Sequence, residues 1–314
     1  MEASWCGFLF LVPLLSMNTK PQIICVVGPT ATGKSDLAVE LALRFNGEVI
    51  SADSRQVYKD LDLGTGKITT EEMQGVPHHL LDVTTADKRF TAFDWVNQSQ
   101  NAINDIINHG RLPIICGGTY FYVSALIHGI HFPELEIDKE EQTELESKEA
   151  EELFSELKRI DPRRAENIDQ HNKRRLSRAI SIARAFGFVP PLVQKESPYD
   201  VLWIGTRVDD ATLRERINAR LVKRMDMGML DEARKLHTNG LSFERMNELG
   251  LEYRYMAQLL QNQISEKDFY TLLSTKIWQF ARRQKTWFRK NADIKWFNPK
   301  DIENIEKEVQ GFLK

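Results

Sequence analysis

The sequence predicts an α/β fold in which a parallel sheet is flanked by helices, on three observations. Short apolar runs alternate with segments of helical period through the first third of the chain. A glycine-bearing turn, "GPTATGKS" (28–35), joins the first apolar run to the first helical segment. The 314 residues, 42% hydrophobic and 28% charged, supply enough apolar surface for a full core.

The elements follow in order. Ile23 to Val27 is strand-like, and Lys34 to Phe45 places Leu37, Leu41 and Phe45 at helical spacing. Gly47 ends that helix, and Glu48 to Asp53 reads as a second strand. Thr91 to His109 is a helix closed by Gly110, and Leu112 to Gly118 is a further buried strand. This rhythm implies parallel strands with helices on both faces. From Pro133 the chain becomes acidic and helix-forming, then basic through "DPRRAENIDQHNKRRLSRAISIARAFG", with an exit at Gly187, Pro190 and Pro191. Residues 129–188 are therefore expected to be a helical insertion, within a catalytic core of 17–128 and 189–314. Val201 to Val208 resumes the sheet, and the remainder is expected to be helical.

Residues 1–16 are read as a dispensable extension or a misassigned start. Their apolar stretch is too short to span a bilayer, and Glu2 has the wrong sign for a signal peptide. No membrane partner is expected. The three cysteines, Cys6, Cys25 and Cys116, are scattered, which fits a reducing compartment and gives neither a disulfide framework nor a zinc site. The net charge of −3 excludes a globally basic protein, so any nucleic-acid surface must be local.

"GPTATGKS" matches G-x-x-x-x-G-K-S between a strand and a helix, the context in which this phosphate loop is informative. Gly28, Pro29, Thr30, Ala31, Thr32 and Gly33 would curl round an anion at a helix N-terminus, every one but Pro29 bringing an N–H group. Lys34 supplies a charge, and the Ser35 hydroxyl suits Mg²⁺. The loop reads a diphosphate plus metal, without saying what is attached to it. Asp53 ends its strand at the sheet edge where such ligands bind, so it could face either the metal or an acceptor. His78 and His79, being adjacent, would point to opposite faces of an extended chain and are read as structural.

"GPTATGKSDLA", "ISADSRQVYKDLDLGTGK", "PHHLLD" and "GRLPIICGGTYFYVSAL", in this order, resemble the tRNA dimethylallyltransferases, also called tRNA isopentenyltransferases. The resemblance continues through "RRLSRAI" to "RRQKTWFR", nearly the whole chain after the extension. It implies a P-loop NTPase-like fold that transfers a five-carbon group from dimethylallyl diphosphate to N6 of an adenosine 3′-adjacent to the tRNA anticodon, releasing diphosphate. The partners so implied are dimethylallyl diphosphate and the anticodon stem-loop of tRNA, with Mg²⁺ on Ser35 as cofactor, in a cytoplasmic monomer. Asp53 matches the family's general base, and Thr119 a position near both substrates. Ser54, Arg55 and Gln56 would hold the adenosine. The family sets an arginine against the diphosphate; Arg216 is the first candidate and Arg220 the second.

RNA is expected on two basic stretches. One holds Lys173, Arg174, Arg175, Leu176, Ser177, Arg178 and Arg184 in the insertion; the other is "KIWQFARRQKTWFRK", with Arg282 among its cations. Trp278, Phe280 and Phe288 serve equally well as core residues. The family's "G-Y-[KR]-[EQ]" string is interrupted here, since Leu251 and Glu252 separate Gly250 from Tyr253. A small-molecule or nucleotide kinase on the same fold is the alternative enzyme. A catalytically silent RNA-binding protein is a third reading, opposed by the intact Lys34, Ser35 and Asp53.

Overall fold

The computed structural model describes residues 20–129, 139–191 and 195–314, so the expected extension at 1–16 lies outside the described residues. The chain divides into two compact units, one of residues 1–127 and 197–314 and the other of residues 128–196.

The first unit opens with β1 (Gln22–Val27), α1 (Lys34–Arg44), β2 (Gly47–Ser51), the single turn α2 (Thr70–Met73) and the two-residue β3 (His78–His79). It continues with α3 (Ala92–Asn108), β4 (Leu112–Gly117) and α4 (Tyr120–Ile127). The second unit contributes α5 (Lys139–Ser147), α6 (Ala150–Ile160), α7 (Pro162–Ala165) and α8 (Lys173–Phe186). The first unit then resumes with β5 (Asp200–Thr206), α9 (Asp210–Asp226), α10 (Met229–Thr238), α11 (Phe243–Leu249) and α12 (Leu251–Leu260). It closes with the long α13 (Glu266–Phe288), β6 (Lys295–Phe297) and α14 (Ile302–Phe312). The expected strands and helices of the first third are all present, with ends shifted by one or two residues. Two strands were missed, β3 and β6. Each has only two or three residues and sits at a sheet edge, too short to show a period.

All six strands are parallel, in the order β3-β2-β4-β1-β5-β6. Ile24 and Val26, Ile114 and Cys116, and Leu202 and Ile204 pack on one face with Leu37 and Leu41 of α1 and Ile305 and Val309 of α14. The alternate residues Ile23, Cys25, Ile115 and Trp203 are just as buried and point to the other face. There α3 inserts Trp95, which stacks on Tyr122 at 5.0 Å and donates Nε1–H to Ser51 O at 2.8 Å. A capping box of Thr91 and Asp94 starts α3. Val27 pairs with Gly117 and Gly205, and Ser51 with Cys116, so four strands end together. The loops that follow them gather along one edge, as the crevice rule for such sheets demands.

The second unit has its own core of Leu145, Leu153, Leu157, Leu176, Ala179 and Ile180. Asp161 caps α7 by accepting from Arg164 N and also accepts from Val189 N, tying the exit of the unit to its middle. The unit runs past Gly187, which ends α8 with φ 79°, as far as Glu196. Arg184 bridges Glu144 and Glu156, and its guanidinium holds the Glu144 carboxyl down to about 2.

His79 pairs with the buried Glu48, which also accepts from Arg111 at 2.9 Å, while His78 Nδ1 lies 2.9 Å from Val76 O. Burial, with a smaller effect of His79, holds the His78 imidazole below its usual value. The unfolded chain therefore binds a proton more readily than the folded one, and this part of the stability is lost as pH falls below about 6.5. Urea midpoints measured at descending pH should drop more for the parent than for His78→Gln.

Candidate active site

Gly28 leaves β1 so close to β5 that a Cβ there would lie 2.4 Å from Thr206 Oγ1. Inside the turn, the Thr32 hydroxyl shares a 2.6 Å hydrogen bond with Thr206 and donates to Pro29 O at 2.8 Å. Gly33, at φ 87°, begins α1 with no side-chain cap, so the first-turn N–H groups keep their capacity for an anion. Among the described residues Lys34 Nζ donates only to Pro29 O, at 3.3 Å. Burial pushes its ammonium below the ordinary lysine value, a tendency that Cys116 and Asp53 oppose and Arg220 reinforces. A largely desolvated cation with one carbonyl partner suits an anion.

Asp53 stands beside this cradle. Its Oδ1 accepts from Arg55 N at 2.8 Å, which fixes the carboxylate in a turn just beyond β2. The peptide of Ala52 clamps the neighbouring loop: its N–H donates to Cys116 O at 2.8 Å, and its carbonyl accepts from Thr119 N at 3.1 Å. Thr119 Oγ1 in turn accepts from Ser54 N at 3.1 Å. Asp53, Ser54, Thr119 and the phosphate loop thus form one constellation. Thr119 also opens α4, with its carbonyl accepting from Tyr122 N at 3.0 Å.

Of the two candidate arginines, Arg220 is the one within electrostatic reach of Lys34 and Asp53. Its Nη2 donates to Gly66 O at 2.9 Å, and Gln56 Nε2 donates to the same carbonyl at 3.3 Å. Burial lowers the Arg220 guanidinium from its usual value, against Glu252, Glu72 and Asp53. Arg216 is half-buried and has no hydrogen bond or ion pair among the described residues. One turn beyond Arg220, Arg224 pairs with Glu252 at 3.5 Å, and burial lowers its guanidinium to about 10.

The sequence reading missed the support for Gly66. Glu232, on α10, accepts from the N–H groups of Asp62, Leu63 and Gly64 at 3.0, 2.7 and 3.0 Å, and from Tyr253 Oη at 2.6 Å. One carboxylate fixes the whole 62–64 turn, and nothing in the local pattern around Glu232 announces it. Tyr253 is 1% exposed and acts as a brace for Glu232. The extra residues Leu251 and Glu252 sit in the first turn of α12, where Leu251 adopts φ 36° and Glu252 faces Arg224.

The basic stretches divide on inspection. In α8, Arg174, Arg175 and Arg178 are exposed and Ser177 is half-buried, whereas Leu176 is fully buried in the core of its unit. Arg184 is bound to glutamates. In α13, Ile277, Ala281, Gln284 and Phe288 form the buried stripe. Opposite it, Arg282, Arg283, Thr286, Trp287 and Lys290 line an open depression of about 460 Å³. Trp287 is 46% exposed, carries Lys290 over its ring at 4.3 Å and stacks on Tyr120 at 6.3 Å. Trp278, half-buried, lies under Arg214. Cys25 and Cys116 are buried free thiols, and Cys116 is pushed up to about 11 by burial. Among the described residues no group of His, Cys, Asp and Glu could hold a metal by itself, and no helix is long and apolar enough to cross a membrane.

Glu232→Ala leaves three backbone donors and a buried phenol without their acceptor. It should destabilise the protein by about 1–3 kcal/mol in denaturant titrations. Amide exchange should rise first at residues 62–67.

The IPP transferase family model matches residues 56–291. A tRNA dimethylallyltransferase of Pediococcus pentosaceus is 38% identical over 93% of this chain and 97% of its own. The crystal structure of the tRNA isopentenylpyrophosphate transferase of Bacillus halodurans, 36% identical, covers 94% of this chain and 97% of its own with a TM-score of 0.72. A eukaryotic dimethylallyltransferase acting on tRNA, 24% identical, shares the fold with a TM-score of 0.76 over 93% of this chain and 77% of its own. These likenesses give the kinase alternative no support. The sheet is of the P-loop NTPase-like kind, and the chain belongs to the IPP transferase family, the tRNA prenyltransferases.

Proposed function

We infer that this enzyme transfers a dimethylallyl group from dimethylallyl diphosphate to N6 of the adenosine 3′-adjacent to a tRNA anticodon, releasing diphosphate. The observation that carries this reading is the pairing of Lys34, half-buried with no ion pair among the described residues, with a fixed carboxylate, Asp53, at one sheet edge. Alkylation at nitrogen uses both, one to hold the leaving group and one to receive a proton.

In the reaction, the allylic C1–O bond breaks, C1 bonds to N6, and the N6 proton passes to the Asp53 carboxylate. The bond electrons leave on the diphosphate. The N–H groups of residues 31–35, Lys34 and Arg220 would face the growing charge on that leaving group, the Thr30 N–H being held by Gln284. Arg216, without a hydrogen bond or ion pair among the described residues, would meet the outer phosphate. Ser35 offers one neutral oxygen and, among the described residues, no cluster of three or more carboxylate, His or Cys groups could hold a metal; this donor set would fit Mg²⁺ completed by water and phosphate. When bound, the metal would neutralise diphosphate charge. Ser54, Arg55, Gln56 and Thr119 border the acceptor side and would orient the extruded base.

RNA would lie on the exposed cations of α8 (Arg174, Arg175, Arg178) and on the α13 face around Arg282 and Trp287, which combines phosphate contacts with a stacking ring. We read the protein as a cytoplasmic monomer.

Labelled dimethylallyl diphosphate, Mg²⁺ and unmodified tRNA should give label in the tRNA, whereas ATP should not be turned over. Asp53→Asn should lower kcat by about 10²–10⁴-fold with little change in diphosphate affinity. Lys34→Ala should weaken diphosphate binding directly, read by displacement titration. If six or more phosphates are contacted, tRNA affinity should fall about 10³-fold between roughly 50 and 200 mM salt; filter binding measures this.

A further inference from the structure

The side-chain amide of Gln284 is buried at the centre of the α13 stripe, directly beneath the exposed cationic face. Both of its ends are used. Oε1 accepts from Thr30 N, inside the phosphate loop, at 2.9 Å, and Nε2 donates to Gly118 O, beside Thr119, at 2.9 Å. The fit is tight, since a Cβ on Gly118 would lie 2.3 Å from Nε2. Gly118 leads into Thr119, whose hydroxyl holds Ser54 N next to Asp53. A single amide therefore spans the two halves of the site, the leaving-group cradle on one side and the acceptor carboxylate's loop on the other. It also takes one loop N–H away from the anion and spends it on spacing.

We propose that Gln284 is a positioning residue that sets the separation between the phosphate loop and the Thr119–Asp53 loop, and so the alignment of C1 with the acceptor nitrogen. It touches neither reacting atom. The amide is suited to this because it is donor and acceptor at once, uncharged over the range of working pH, and too short to leave slack. The inference rests on the prenyl-transfer reading, and a misplacement of the order of an ångström between reacting groups costs about 10²-fold in rate.

The test compares the parent with Gln284→Ala and Gln284→Glu in steady-state prenyl transfer, with melting temperatures recorded for each. The parent comes first: no transfer by it overturns the functional reading itself. With an active parent, Gln284→Ala should lower kcat by about 10- to 100-fold while KM for diphosphate substrate and for tRNA stay within about threefold. Gln284→Glu keeps the acceptor for Thr30 N but sets a carboxylate against Gly118 O. Its kcat relative to the parent should be low near pH 8 and recover towards roughly pH 6, where the carboxyl, its pKa raised by that contact, regains a proton to donate.

A kcat within about twofold of the parent in Gln284→Ala overturns the proposal. So does a rise in KM for the diphosphate at unchanged kcat, which would make Gln284 a binding residue only. Absence of the low-pH recovery overturns it as well. If the alanine variant does not fold, the pH profile of the glutamate variant decides. If neither folds, Gln284 is a determinant of the fold and the proposal fails.

Discussion

A half-buried ammonium with no ion pair among the described residues is the constraint from which this molecule is best understood. Lys34 is held under its own loop, depressed from its ordinary proton affinity by burial and answered by a single carbonyl. Such a group is tolerable only where the surrounding backbone is fixed tightly enough that it cannot swing to water. The structure supplies that rigidity from several distant places. Thr206 comes from β5, Gln284 from α13, and the peptide of Ala52 joins the loops beyond β2 and β4. The positive charge is concentrated first, and the anion is met ready-made.

The same logic extends one layer outward. Arg220 is half-buried, and it is kept in place by the carbonyl of Gly66, which Gln56 shares. Gly66 follows a turn that Glu232 holds by three N–H groups, and Glu232 is braced by Tyr253. A carboxylate on α10 thus steadies an arginine on α9 through a loop that neither helix contains. The extra residues of α12 bring Glu252 to Arg224, one turn further along, so the departure from the family's usual string closes a buried ion pair.

Much of this was legible in the sequence. The strand-turn-helix setting of "GPTATGKS" gave the cradle, because glycine and lysine at fixed offsets have few other uses. The buried strands were legible because both faces of a parallel sheet are covered, so Ile23–Val27 and Pro113–Cys116 carry no polar residue. What stayed hidden was every contact spanning long sequence separations. Glu232 and Gln284 are polar residues on helices, and in sequence they look like solvated positions; only the packing of α10 and α13 turns them inward. Leu176, grouped with its arginine neighbours in the sequence, turns its side chain into the core of its unit. Arg184 shows why a basic stretch is not a free surface: a cation is free only where no glutamate shares its surface, and here Glu141, Glu144 and Glu156 do.

The reach of Gln284 to Thr30 spans 254 positions of chain. During synthesis, β1 and the turn after it leave the ribosome early, whereas α13 emerges near the end. The loop at 28–35 is consequently unfinished throughout most of translation, and a polypeptide interrupted before α13 would carry the signature turn without its brace.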